Sequence, residues 1–184
     1  MPRLASPLGL PTQPPPDVDL ILEAPEFDAA THLALEWPDT VYTLKDLGYS
    51  DEDRALTPSD VAITSPFRIM SPEGVAVMRG LALDLHSAGY IRPKGPGRSG
   101  TLHHGVYRAR YLQQFMSCPE LLDFMSELSG TRLVAHPFPP FQAYFNYWAE
   151  DPSKHIDDWH LDSLGYGAVM MVSDPEEILS LIHI

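Results

Sequence analysis

Trp159-His160-Leu161-Asp162-Ser163 sets an imidazole and a carboxylate two residues apart between large apolar neighbours. On an extended strand, residues i and i+2 project from one face, which brings His160 and Asp162 side by side, roughly 6.6 Å apart along the backbone. An imidazole nitrogen and a carboxylate oxygen presented together form a metal-chelating pair. With one distant histidine they make a 2-His-1-carboxylate facial triad, which suits Fe(II) and leaves positions open for a cosubstrate and oxygen. A core histidine hydrogen-bonded to a nearby aspartate satisfies the same three letters, so the surrounding sequence has to decide.

A second H-x-D, His155-Ile156-Asp157, lies in the charged run from Asp151 to Asp158 after Pro152 and reads as a solvated loop. His160 follows Trp159 and leads into an apolar run from Leu164, which favours the second pair for a buried site. Upstream, Phe141 to Trp148 is rich in aromatic residues and reads as a strand. Period two then puts Gln142, Tyr144 and Asn146 on one face and Ala143, Phe145 and Tyr147 on the other. Arg132 to His136 and Leu164 to Ser173 are expected as further strands, broken by Pro137, Pro139, Pro140 and Asp174-Pro175.

Helices are expected before these strands. Ser71-Pro72-Glu73 supplies a cap, a first-turn proline and an acid at the positive end of the dipole. Val75, Met78, Leu81, Ala82 and Leu85 then make one apolar stripe, and Gly89 closes the helix. A second helix is expected from the capping-box pattern Ser117-Cys118-Pro119-Glu120, burying Leu121, Phe124, Met125 and Leu128 before Gly130. Between them, Gly95-Pro96-Gly97-Arg98-Ser99-Gly100 matches a dinucleotide fingerprint in letters only. That fingerprint needs a strand before it and a helix opening inside it, whereas Pro96 and Thr101-Leu102-His103-His104-Gly105 read as loop. Helices followed by strands suggest an α+β, mainly β arrangement with a sandwich or barrel core.

The aromatic strand Phe141 to Trp148, a loop of about a dozen residues, and then Trp159-His160-Leu161-Asp162-Ser163 with its apolar continuation resemble the Fe(II)/2-oxoglutarate-dependent dioxygenases of the phytanoyl-CoA dioxygenase-like group. The resemblance runs from Pro66 to Asp174 and is most specific between Phe141 and Ser163. It implies a partial double-stranded β-helix (jelly roll, cupin-like) preceded by supporting helices, with His160 and Asp162 as metal ligands. It also implies that the strand before H-x-D carries side chains that hold 2-oxoglutarate, for which Tyr144 and Asn146 are the candidates. In such enzymes 2-oxoglutarate and molecular oxygen fill the open iron positions and a small-molecule substrate is hydroxylated as succinate forms. Trp159, Tyr166 and the apolar strand are expected to wall the site from water.

Two other readings compete. A noncatalytic jelly-roll binding module keeps H-x-D as structure, and a metal-assisted hydrolase would be built from His103, His104, His155 and Asp157. The first is separated by a missing second histidine in a longer sequence, the second by zinc in place of iron dependence. His32, Asp84, His86 and His136 call for nothing beyond surface or core hydrogen bonds. Arg108 and Arg110, beside Tyr107 and Tyr111, read as an amphipathic strand edge, with contact to an anionic substrate as the alternative.

Composition bounds these readings. The 184 residues hold 12 Lys plus Arg against 25 Asp plus Glu, a formal charge of −13, which disfavours nucleic acid and anionic membrane as partners. Cys118 is the only cysteine, so an internal disulfide and a thiolate zinc cage are excluded. No apolar run approaches the roughly 20 residues that span a bilayer. A cytoplasmic protein is expected. Residues 1–16, with prolines at 2, 7, 11 and 14 to 16, read as a disordered tail, and residues 17–65 as an N-terminal extension on the core. A jelly-roll domain is expected over 66–178.

The only histidine after Asp162 is His183, with no Lys or Arg behind it. About 20 intervening residues are too few for the remaining strands and turns of a jelly roll. Residues 179–184, Leu-Ser-Leu-Ile-His-Ile, are the translation of CTG-TCT-CTT-ATA-CAC-ATC, which resembles a transposase end used in DNA library adapters. The expectation is an adapter-derived tail on a C-terminally truncated reading frame; the alternative is a genuine apolar strand. Resequencing of the source locus is expected to show coding sequence diverging after Ile178 and supplying a downstream His and Arg. A stop codon directly after Ile184 refutes the adapter reading.

Overall fold

The computed structural model describes residues 25–89, 92–94, 98–102, 105–137, 142–148 and 166–173. Its elements in chain order are α1 (Ala29–His32), β1 (Val41–Thr43), α2 (Asp51–Arg54), β2 (Val61–Thr64), α3 (Pro72–Ser87), β3 (Arg92–Lys94), β4 (Arg98–Leu102), a 3-10 turn (Gly105–Tyr107), α4 (Arg110–Met116), α5 (Pro119–Ser129) and β5 (Phe145–Trp148). β1 and β2 pair antiparallel as one small sheet, and β3-β4-β5 form a three-stranded antiparallel sheet in that order. β1 to β4 all precede α4 and α5, so strands and helices alternate along the chain and the helices do not simply lead.

α3 follows its local signals. The Ser71 hydroxyl accepts from the Gly74 amide, Pro72 and Glu73 fill the first turn, and Gly89 turns out at φ 77°. Met78, Leu81, Ala82 and Leu85 are buried, with Val75 half-buried against the same core. α5 ends as expected on Gly130 at φ 67°, but its start differs. Cys118 occupies the cap position without a side-chain bond, because Ser117 already closes α4, its hydroxyl donating to the Gln113 carbonyl at 2.7 Å. The expected capping box is therefore absent.

α4 replaces the strand edge expected around Arg108 and Arg110. Its buried face is Tyr111, Leu112 and Phe115, and Arg110 at its first turn lies 3.4 Å from Glu26. Phe27 fastens the preceding segment to this helix. Its ring meets Tyr111 and Phe115 edge-on at 5.4 and 5.7 Å, and its amide donates to Gln114 Oε1. Met70, Met78, Leu81, Val106, Ala109, Tyr111, Leu112, Phe115, Cys118 and Leu121 form the core shared by α3, α4 and α5.

Three further expectations need correction. Arg132–His136 and the described part of Leu164–Ser173 carry no strand. Proline breaks the first on its C-terminal side, and Gly167, Ala168 and Val169 in the second are exposed, Val169 at 93%. Thr101 and Leu102, read as loop, lie in β4. The glycine-rich run before them thus follows a strand but opens into another strand, and the dinucleotide fingerprint stays excluded.

On the smaller sheet, Arg54 forks onto Asp60 at 2.7 and 2.8 Å and reaches Asp51 at 2.8 Å, which holds the Asp60 carboxyl below its ordinary range. The Ser59 hydroxyl donates to the Ser129 carbonyl, tying this sheet to the end of α5. Among the described residues no helix is long and apolar enough to cross a membrane.

α1 and α3 meet in a close joint. Ser71 donates to the Thr31 carbonyl through its hydroxyl and to the His32 carbonyl through its amide, and a Cβ on Gly74 would overlap that His32 oxygen. Gly80, one helical stretch later, has nothing within 4 Å of its missing Cβ. Gly74→Ala is expected to cost about 1–3 kcal/mol by overpacking, lowering Tm by roughly 2–4 °C per kcal/mol. Gly80→Ala should instead gain about 0.5–1 kcal/mol from helix propensity. Thermal denaturation of the two variants checks the joint: equal behaviour rules it out.

Candidate functional site

β5 is held by its inward face. Phe145 packs on the core, and the Tyr147 hydroxyl donates to the Ala82 carbonyl of α3 at 2.7 Å while its ring lies 5.2 Å from His86. Ala143, just before the strand, packs on the same core. This is the face expected for Ala143, Phe145 and Tyr147. Burial pushes the Tyr147 phenol up to about 12.

Tyr144 and Asn146 take the opposite face and are exposed, Tyr144 at 39%. Gln142, which shares their parity, turns its amide to the His136 carbonyl at 2.7 Å. Across the ladder Asn146 pairs with Thr101, and Leu102 pairs with Phe145. The Thr101 hydroxyl donates to Asn146 Oδ1 at 3.2 Å. Thr101 is 3% exposed and its neighbour Leu102, pointing the other way, is 0% exposed, so both side chains at this end of β4 are shielded from solvent. Sequence reading missed Thr101, because the glycines and Pro96 before it outweighed the β-branched residue itself.

His160, Asp162, His155, Asp157, Trp159, His103 and His104 lie outside the described residues. Among the described residues no three His, Cys, Asp or Glu side chains gather as a metal site. Tyr166 is half-buried, and its hydroxyl donates to the Val61 carbonyl of β2 at 3.3 Å. Gly167, Ala168 and Val169 are exposed, whereas Met170 and Val172 pack against the core. His32 accepts the Asp28 amide at Nδ1, a core hydrogen bond as expected. Cys118 is buried, which pushes its thiol up, and Sγ lies 3.1 Å from Glu120 Oε2.

The donor chemistry of the outward face fits a carboxylate ligand. Burial raises the Tyr144 phenol, keeping it a neutral O–H donor, and Asn146 carries an amide. An open depression of about 420 Å³ between Asp51, Arg54, Thr57, Ser59 and Asp60 fits less well, since its one guanidinium is engaged by two carboxylates. Comparison with family models, curated proteins and solved structures finds no match to this chain.

Tyr147 and Tyr111 share one consequence. Burial pushes Tyr111 up to about 12 as well, with Glu73 adding to the shift, and its hydroxyl has no hydrogen-bond partner among the described residues. Both groups hold their protons in the folded state at pH values where an unfolded tyrosine, near 10, has lost its own. Their contribution is complete below about pH 10 and declines as pH rises to about 12, by at most about 1.4 kcal/mol per pH unit for each group. Phenolate absorbance should show two of the eight tyrosines titrating last, together with unfolding. Tyr147→Phe should remove one of them and cost about 1 kcal/mol at neutral pH; two late-titrating groups persisting in that variant contradict the assignment.

Proposed function

We propose that this chain carries part of the site of a non-haem Fe(II)- and 2-oxoglutarate-dependent dioxygenase that hydroxylates a small organic substrate in the cytoplasm. In this reading the two small antiparallel sheets belong to a partial jelly roll. His160 and Asp162 hold the metal, and Tyr144 and Asn146 hold the cosubstrate. The observation that supports it is the alternation of β5: Phe145 and Tyr147 seat the strand on the core and α3, and Tyr144 and Asn146 are left on the opposite face, a short step before the H-x-D pair. When bound, ferrous iron with 2-oxoglutarate and oxygen supplies an oxidative decarboxylation that yields succinate, carbon dioxide and a hydroxylated product.

The chain's own residues have simpler tasks. His160 and Asp162 offer one neutral nitrogen and one anionic oxygen, a donor set that suits ferrous iron. Asn146 and Tyr144 offer neutral N–H and O–H donors to a carboxylate, fixing its orientation without adding charge. Thr101 and Leu102, partners of Asn146 and Phe145 across the ladder, are buried.

Anaerobic titration with Mn(II), followed by its magnetic resonance signal, tests the metal pair on the 184-residue chain. Weak binding is expected, with a Kd on the order of 10⁻⁴ M, about 3–7 kcal/mol short of a micromolar-to-nanomolar site with all its ligands. His160→Ala and Asp162→Ala should each weaken it at least about tenfold, and no succinate should be released by this chain alone. Equal affinity in wild type and both variants overturns the iron site and favours a noncatalytic binding module.

A further inference from the structure

We infer that the outer face of the β1–β2 sheet is a docking surface for a basic segment of a partner protein that carries aliphatic side chains at its centre. Tyr42 and Ile63 stand opposite each other in the ladder, so their side chains share one face. They are 45% and 57% exposed, whereas Val41 and Thr64, the adjacent pair on the other face, are half-buried.

An antiparallel sheet with one solvated face ordinarily turns apolar side chains inward and polar ones outward. This sheet is inverted at its centre: a tyrosine and an isoleucine face out, and a valine and a threonine face in. Burial within the chain does not account for that choice. Six of the ten exposed large apolar side chains among the described residues lie between Trp37 and Ile63. Two of them, Leu47 and Tyr49, donate their amides back to the Thr43 and Leu44 carbonyls, so the turn that carries them folds onto the end of β1. Exposed apolar side chains gathered on one small unit mark an interaction site.

Charge selects the occupant. Residues 39–60 hold six Asp and Glu against Lys45 and Arg54, and Arg54 is already engaged by Asp51 and Asp60. Two of the acids stand at the sheet itself: Asp46 accepts from the Thr43 amide and hydroxyl, and Asp60 directly precedes β2. A second copy of this chain would set like charge against like, and anionic lipid or nucleic acid is repelled in the same way. A segment with an apolar centre and Lys or Arg on both flanks matches both features. Its centre covers Tyr42 and Ile63 while its flanks meet the carboxylates around them, the apolar core and polar surround of a protein interface.

Fluorescence anisotropy of a labelled peptide with central leucines between two runs of lysine tests this on the 184-residue chain, beside a control peptide with serines in place of the leucines. The leucine peptide should bind roughly tenfold tighter than the control, and both should weaken as salt rises. Tyr42→Thr and Ile63→Thr should each weaken the leucine peptide about five- to thirtyfold and leave the control unchanged. Both positions are exposed and threonine suits a strand, so the fold is retained. Asp39→Asn with Glu52→Gln should weaken both peptides about three- to tenfold. Glu73→Gln with Asp84→Asn, on the exposed side of α3, should weaken them less than about twofold.

Equal binding of the two peptides, or wild-type affinity in both threonine variants, overturns the inference. Equal loss from the two charge pairs shows attraction by net charge alone and overturns it as well. Sedimentation of the chain by itself covers the remaining occupant: a dimer broken by Tyr42→Thr or Ile63→Thr assigns the face to a second copy and overturns the partner segment.

Discussion

The register of β5 is the constraint on which the candidate site depends. Its inward face is pinned twice, by Phe145 in the core and by the Tyr147 hydroxyl on the Ala82 carbonyl of α3. A slip by one residue would exchange the two faces, burying Asn146 and exposing two aromatic rings. The polar face is thus placed by what the apolar face must bury. Asn146 meets Thr101 only because Phe145 meets Leu102 one step along the same ladder.

That pinning in turn requires α3 to stay where it is. α3 carries Ala82 and His86, both in contact with Tyr147, on the same body that supplies Met78, Leu81 and Leu85 to the interior. Its N-terminus is fixed against α1 through Ser71 and the close approach at Gly74, and Phe27 links that region onward to α4. Packing therefore runs from the first described residues to the candidate site. The N-terminal segment, expected as an extension laid on the core, contributes Phe27, Ala29, Leu33 and Leu35 to its margin.

What the sequence revealed followed the range of each signal. Ser71, Pro72, Glu73 and Gly89 act on their own turns, so α3 could be read end to end. α4 could not: seven residues give barely two turns, and RYLQQFM sets aromatic and polar residues together without a legible period. Missing it also misassigned Ser117, which serves the end of α4 and not the start of α5. The faces of β5 were readable because alternation is local, whereas the bonding of Thr101 depends on a partner 45 residues away. The strands expected at Arg132–His136 and Leu164–Ser173 had composition in their favour, but a strand also needs a neighbour to pair with. Composition carries no information about that neighbour.

Charge gives the last link between the fold and the proposed chemistry. At a formal −13, the chain's overall field opposes the approach of any dicarboxylate. Arg54, Arg68 and Arg110 do not offset this, since each is engaged by an acidic side chain. In the proposed reading, neutral donors such as Asn146 and Tyr144 would orient a carboxylate but supply no net positive charge. In the proposed site the metal would supply the largest local positive charge. Cosubstrate binding should then follow metal binding, and His160 and Asp162 would govern the affinity of a ligand that Asn146 and Tyr144 would orient.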